Sequence, residues 1–589
     1  MFATALVAAI LLPLPKEADI SETTAHPARV VERIVSEIPA AGPRQEEAYH
    51  LSITDDQLLL EATTWQGLVQ GRKTISQLGP DLPICEITDW PSFRIRGFMQ
   101  DVGRTYISIP ELKREIDILS GLKLNVFHIH LTENEAWRLQ SPSHPELTAP
   151  GSMTRQDGLF YTLEEIRDLD TYCHQRGMIL IPEIDMPGHS AAFERATGFR
   201  MESPEGRTIL KDVLMELASV TSGPWIHLGT DEVSISDPGF VPEMMEYVRN
   251  LGKKVITWDP GYSSDVAPDM QQLWSYRGKA TPGIPAIDCR FHYINHFDTF
   301  ADIVGLHTSS VYGFTEDSPD IAGSIIALWN DRYVDDESSL IRQNNLFAAA
   351  AALADRTWRG GGWQYFDDFG VVISDSGPAR DDFLDFEQRL MAFLPDDSPY
   401  VPQGAVRWKI AGPFPNGGDL AAEFAWQDAP MRTVTGAGIA FRHCWGSTVP
   451  GLFKDPQPNS TAYAVTEIEV PYDMDAALFF ETQNYSRSEK DKAPQQGQWD
   501  YRGSRLYLDD TEILPVEWTP DDGTGCLGNE NAAARPPIPL HLSAGRHRIV
   551  IKLPVGEFTT REVRLVKWSF TCLLLTPDGK APAEVQYIP

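Results

Sequence analysis

The sequence predicts an α/β fold: a (β/α)8 barrel, with a small α/β domain before it and a β-sandwich after it. Three observations predict this. Between residues 91 and 397, short apolar runs alternate with amphipathic helical patterns, which means a parallel sheet. There are eight such runs, and polar residues gather at their carboxyl ends, as they do where barrel strands converge on one face. After Val401 the helical pattern stops and short strands separated by turn residues take over. The expected boundaries are 1–90, 91–397 and 398–589.

The first domain starts with an uncharged stretch, Phe2 to Pro15, read as the remnant of an export signal or as an apolar first strand. Tyr49 to Ala62 (YHLSITDDQLLLEA) alternates on either side of Asp55-Asp56, which predicts a hairpin. Thr63 to Gly79 has helical spacing and a glycine stop. The barrel runs are RIRGFMQD from Arg94, NVFHIHLT from Asn125, MILIPEID from Met178, WIHLGTDE from Trp225, KVITWD from Lys254, QLWSY from Gln272, CRFHYI from Cys289 and IIALWND from Ile325. Capping boxes are expected at Ser108 with Glu111 and at Thr162 with Glu165. A doubly wound open sheet is the rival, but RGFMQDVGR is no glycine-rich phosphate turn. The sandwich runs begin with AVRWKIAG and TAYAVTEIEV and end with HRIVIKLP and KWSFTCLLL.

Composition narrows the function. Lys plus Arg number 50 against 83 Asp plus Glu, a formal charge of −33 over 589 residues. So acidic a chain repels phosphate backbones and anionic surfaces, which argues against nucleic acid and membrane partners. No apolar run is long enough to span a bilayer. The six cysteines are scattered without a CxxC spacing, and the CxxH of Cys289 and His292 has no second ligand pair. They read as buried thiols, with Cys444 and Cys526 as one conceivable pair.

Four patterns carry chemistry. In IHLGTDEV, Asp231 and Glu232 end a buried strand, and both reach one site only if the strand breaks there. In HIH, His128 and His130 share a strand face, read as core histidines, sugar contacts or a metal pair for a barrel hydrolase. In EIDMPGHS, Asp185 lies four residues before His189 across a Pro-Gly turn, so a carboxylate can fix an imidazole's tautomer. Trp258, Trp274 and Trp329 all fall at strand ends, as an aromatic wall for a sugar face would, although core packing explains any one of them.

As a set and in this order, RGFMQDVGR, NVFHIHLTENEAWR, IPEIDMPGHS, HLGTDEV, ITWD, LWSY, YIN and ALWND resemble family-20 glycoside hydrolases, the β-N-acetylhexosaminidases, from about Leu12 to Trp358. The resemblance implies a substrate-assisted mechanism without an enzyme nucleophile. In it Glu232 is the general acid, Asp231 orients the 2-acetamido group and Tyr293 hydrogen-bonds its carbonyl. Trp258, Trp274 and Trp329 would wall the pocket. Arg104 would hold outer hydroxyls, which Asp331 and Asn295 would also contact or order. Asp185, His189 and Glu133 would support Glu232, itself expected in a partly dry site. No cofactor or metal is implied. The implied partners are glycans ending in β-N-acetylhexosamine, and the expected location is secreted or periplasmic.

Three departures stand out: Thr230 for the second glycine of GGDE, Glu133-Asn134-Glu135 for DDQ, and Trp329-Asn330-Asp331 for WxE. They put the GlcNAc-versus-GalNAc preference and the linkage in question, and they motivate the alternative of a non-catalytic glycan-binding protein on a decayed barrel. The sandwich lies outside this resemblance and looks broadly like the jelly-roll modules of secreted glycosidases. It would bind glycan, pack on the barrel or bridge a homodimer, with Trp426, Trp445 and Trp499 as sugar platforms or core.

Overall fold

The computed structural model describes residues 11–261, 265–290, 294, 301–330, 337, 345–363, 370–396, 398, 400–443, 450–482, 495–517, 536–558 and 568–588. The chain forms two compact units. One holds residues 1–293, 310–333 and 353–362, and the other holds the remainder.

In the first unit a five-stranded sheet has the order β1-β5-β3-β4-β2. Its strands are β1 (Glu17–Thr24), β2 (Val30–Ile34), β3 (Tyr49–Ile53), β4 (Leu58–Ala62) and β5 (Pro83–Asp89). The hairpin read from Tyr49 to Ala62 is the β3–β4 pair, in register from Tyr49 opposite Ala62. Alternation buries Tyr49, Leu51 and Ile53 and leaves His50 and Ser52 less covered, so one face packs against helix Trp65–Leu78. Thr64 caps that helix by accepting the Gly67 amide. Of the uncharged stretch only residues 11–15 are described, and they form no strand; among the described residues the first strand starts at Glu17, and Leu11 and Leu12 are buried, the Leu12 amide donating to Gln77. Residues 1–10 lie outside the described residues.

Seven of the eight expected runs, with Ala286–Asp288 in place of CRFHYI, close into a parallel barrel. Its strands are β6 (Ile95–Asp101), β7 (Val126–His130), β8 (Ile179–Glu183), β9 (Trp225–His227), β10 (Lys254–Asp259), β11 (Met270–Leu273), β12 (Ala286–Asp288) and β13 (Ile321–Leu328). β13 pairs with β6, which completes the ring. Inside, Ile95, Met99, Val126, Ile181, Ile256 and Ile325 pack with Trp258. β12 comes before the CRFHYI run, because the apolar Ala-Ile-Asp segment alongside β13 takes the barrel position. The Thr162–Glu165 capping box forms reciprocally, and Ser108 accepts the Glu111 amide. Among the described residues no helix stands between β10 and β11 or between β11 and β12.

Buried charges tie the barrel to the sheet. Lys123 Nζ donates to Asp89 at 2.8 Å and to the Tyr49 hydroxyl at 2.9 Å, and lies over the Trp358 ring. Arg96 makes two bonds to Glu47, at 2.7 and 2.9 Å. A buried pair like this is costly to break, because removing one partner strands the other charge.

The second unit contains an eight-stranded sheet and a four-stranded sheet, both antiparallel, as the sandwich reading expected. It starts earlier than residue 398. Strand Ile373–Ser374 joins the larger sheet, and helix Pro378–Phe393 packs on helix Ala301–Thr308, where the His307 ring stacks 4.3 Å from Phe386. Residues 294–309, 334–352 and 363–397, expected in the barrel domain, therefore cluster with the sheets. Trp499 is core, packed edge-on against Phe480 at 4.6 Å, not a sugar platform. Trp426 is half-buried and stacks on Tyr463, while Trp445 lies outside the described residues. Cys85, Cys173, Cys289 and Cys572 are buried free thiols; Cys444 and Cys526 are not among the described residues.

Candidate active site

The carboxyl ends of β6 to β10 build the site. β9 stops at His227, and the chain then turns through Gly229, Thr230 and Glu232, all at positive φ (67°, 88° and 48°). This is the break that the acid pair requires. It turns Asp231 inward, 8% exposed, and leaves the Glu232 side chain 56% exposed. The partly dry setting expected for Glu232 is therefore not supplied by the described residues. Thr230 is β-branched, and a β-branched residue at φ 88° is a strained conformation of the kind that collects at functional sites.

One imidazole faces both acids. His189 Nε2 lies 3.9 Å from Asp231 Oδ2 and 3.9 Å from Glu232 Oε2. On its other side, His189 Nδ1 is 2.9 Å from Glu133 Oε1. Glu133 also pairs with Arg104 at 2.5 Å and lies 3.6 Å from His130. Burial alone would raise the Glu133 carboxyl, but Arg104 and the two imidazoles hold it well below the usual range. Burial likewise opposes charge on His189, yet Glu133, Asp185 and Asp231 push it up to about 10. Asp185 is fully buried, and burial with the neighbouring Asp231 charge pushes its carboxyl well up. Asp231 is raised too, by burial first.

Beneath this layer sits a carboxylate that the sequence reading did not single out. Glu183 ends β8, fully buried, opposite His130 on one neighbouring strand and His227 on the other. It accepts from His128 Nε2 at 2.8 Å and from Trp258 Nε1 at 2.7 Å, and lies 2.9 Å from His130 Nδ1 and 3.4 Å from His227 Nδ1. Burial would raise it; His130 and His227 bring it well below its usual range. In return, the Glu183 and Glu133 charges overcome burial and lift His130 well above its ordinary value, while burial drops His128 to about 4. The two HIH histidines thus share a carboxylate. With both at 1% exposure or less, they are closed to substrate and give no support to the metal-hydrolase reading.

The three tryptophans differ in exposure. Trp258 is 1% exposed, with Trp329 5.8 Å away. Trp329 is half-buried, edge-on to His130 and under the Arg104 guanidinium at 5.4 Å. Trp274 is half-buried and donates to the Pro260 carbonyl at 2.6 Å. Arg104 is also held by Asp101 at 2.9 Å, and Asp101 accepts the Asn330 amide, so one carboxylate spans β6 and the end of β13. Tyr293, Asn295 and Asp331 lie outside the described residues. The signal for Glu183 was available: in EID it shares Asp185's strand face by the two-residue period, as His128 shares His130's.

Residues 93–206 match the model of the glycosyl hydrolase family 20 catalytic domain, a stretch that holds Arg104, His130, Glu133, Glu183, Asp185 and His189. Over that stretch the chain is similar to the family-20 catalytic domain. A β-N-acetylhexosaminidase from Cellulomonas fimi is 30% identical over 298 residues, covering 44% of this chain and 59% of that one. A β-hexosaminidase from Porphyromonas gingivalis is 30% identical over 305 residues, covering 41% and 39%. The chain thus spans less than two thirds of the length of these curated relatives. Among solved structures, a β-N-acetylhexosaminidase from Bacteroides fragilis superposes with a TM-score of 0.53 at 25% identity, over 61% of this chain and 93% of that one. The exo-β-N-acetylglucosaminidase of Vibrio harveyi, solved with N-acetylglucosamine, gives 0.51 at 21% identity and shares the fold. The barrel carries the acid pair and its imidazole, together with the three sequence departures, at Thr230, at Glu133 to Glu135 and at Asp331.

Proposed function

We propose that the protein is an exo-acting, retaining β-N-acetylhexosaminidase that removes terminal β-linked GlcNAc or GalNAc from glycans. The family-20 match and the hexosaminidase relatives support a glycoside hydrolase. The observation that carries the finer reading is His189 Nε2, placed 3.9 Å from both Asp231 and Glu232.

In this reading the substrate's acetamido oxygen attacks the anomeric carbon, and the bond to the leaving oxygen breaks. Glu232 gives its proton to that oxygen. Asp231 holds the acetamido N–H and balances the positive charge of the oxazolinium. Water, deprotonated by Glu232, then opens the ring and restores the original anomeric configuration. Glu133 orients His189, which sets the field at both acids. A sugar seated over Glu232 would exclude the water that its exposed carboxyl now meets. Trp274 and Trp329 would wall the acetamido pocket, with the buried Trp258 backing Trp329; Tyr293 would take its carbonyl, and Arg104, Asn295 and Asp331 the outer hydroxyls. Polymeric glycans outside the cell would fit a secreted or periplasmic location.

Glu232→Gln tests the acid. It should slow aryl glycosides with poor leaving groups by at least ~10²-fold and those with good leaving groups less. Equal slowing of both, or none, would remove Glu232 from that role.

A further inference from the structure

We propose that Asp185, His189 and Asp231 form a binding site for one divalent cation of the zinc class, and that the bound cation shuts substrate out. The binding half stands on geometry alone; the inhibitory half rests on the function proposed above.

Each of the three residues offers one ligand atom, and these atoms lie within 4.8 Å of one another. A tetrahedral zinc shell with bonds near 2.0–2.2 Å sets neighbouring ligands ~3.3 Å apart. His189 Nε2 and Asp231 Oδ2, now 3.9 Å apart, need to close by less than an ångström. Asp185 Oδ2 and Asp231 Oδ1 are sealed from solvent and accept no hydrogen bond among the described residues. Asp185 is fully buried, so an unmet oxygen there is costly.

The imidazole is set up as a ligand. Its Nε2 points at the acids while Nδ1 lies 2.9 Å from Glu133. A carboxylate on the far nitrogen is the outer-sphere partner that orients metal-bound histidines and raises their basicity. Four carboxyl groups, Glu133, Asp185, Asp231 and Glu232, gather around Arg104, His130 and His189. Such a cluster is relieved by taking up protons or a metal ion.

Donor type selects the ion. Two carboxylate oxygens and one imidazole nitrogen suit zinc, cobalt or nickel; calcium takes six or more oxygens and magnesium an octahedral oxygen shell. Three protein ligands leave a fourth position for water or for Glu232, which is open to solvent. His128, Glu183 and His227 also bring ligand atoms within 4.8 Å, but all three are fully buried, and Glu183 is already bonded to Trp258 and His128. The cation therefore enters the upper cluster and leaves this lower one unmetallated. Binding displaces the proton of His189, so affinity rises with pH.

The test titrates chelator-stripped protein with Co²⁺, read by visible absorption, and with Zn²⁺, read by calorimetry, in the absence of substrate. One saturable site is expected, with affinity at least tenfold lower in Asp185→Asn and in His189→Gln and higher at pH 8 than at pH 6. Failure to find a saturable site, or undiminished affinity in a folded Asp185→Asn protein, overturns the proposal. If neither variant folds, the unsubstituted protein still decides: a proton must be released on Zn²⁺ binding, seen as buffer-dependent heat, and none released contradicts His189 as a ligand. For the inhibitory half, Zn²⁺ must raise KM for an aryl N-acetylglucosaminide at least fivefold, reversibly with chelator. Unchanged kinetics at saturating Zn²⁺ would refute that half. A protein that cleaves no glycoside at all would count against the proposed function and leave the binding result standing.

Discussion

Glu183 Oε1 accepts the Trp258 indole N–H at 2.7 Å, and the same carboxylate lies 2.9 Å from His130 through Oε2. One buried side chain thereby ties the aromatic wall to the chain of groups running from His130 through Glu133 to His189 and the acid pair. The link joins β7, β8 and β10, so it is a property of the closed barrel rather than of any one motif.

Glu183→Gln separates the two halves of that link. An amide still accepts from Trp258 but carries no charge for His130. We expect a folded protein with kcat lowered ~10–100-fold, the range for outer-sphere partners of functional groups, and KM changed little. Glu183→Ala should cost stability as well, ~3–5 kcal/mol, because it strands a buried imidazolium. Urea denaturation beside steady-state kinetics reads both; equal kinetics for Glu183→Gln and the parent protein would deny the link.

Gly229 holds the strand break open. At φ 67° an added Cβ would stand 1.8 Å from Asp185 Oδ1 and 2.7 Å from its Cα. Gly229→Ala must therefore move Asp185 or the turn, and we expect a loss of at least ~2 kcal/mol together with most of the activity. Thr230, one residue on, shows that the turn tolerates a side chain only where space exists. A Gly229→Ala protein as stable and active as the parent would mean that the turn is not built as described.

Much of this was legible in the sequence. Seven of the eight barrel runs, the hairpin from Tyr49 and the broken strand at Asp231-Glu232 each follow from a local pattern, period two or an apolar lead-in, and each is found; the CRFHYI run is not. What was hidden depends on partners far along the chain. Glu183 looks like one polar residue at a strand end until His128, His227 and Trp258 converge on it. Residues 363–397 read as barrel because their helical pattern is that of a barrel helix; Ile373–Ser374 pairing with strand Met431–Thr435 places them with the sheets instead. Trp499 cannot be told from a surface platform until Phe480 covers it. The GTDE turn shows why a two-residue period fails at a site: three positive φ values between 229 and 232 end the alternation.

Lys73 supplies a pH test away from the site. Its side chain is half-buried, but Nζ is sealed and has no hydrogen-bond partner among the described residues, and burial lowers it to about 7. A base with a lowered folded-state value binds fewer protons folded than unfolded between pH 7 and its ordinary value of 10.5. Stability contributed through Lys73 therefore rises with pH across that window, and the cost is full below it. Lys73→Met should raise stability by ~1–3 kcal/mol at pH 6–7, and by progressively less toward pH 10. Chemical denaturation at several pH values measures this; an advantage constant with pH would assign it to packing.

The proposed chemistry turns on whether the substrate's own acetamido group is the nucleophile. The most direct measurement compares initial rates on aryl β-glycosides of GlcNAc, GalNAc and glucose, with and without a thiazoline that mimics the oxazoline. The account predicts cleavage of the acetamido sugars only, blocked by the thiazoline. Cleavage of the glucoside at a comparable rate would contradict it, because a substrate without an acetamido group can be hydrolysed with retention only by a protein nucleophile.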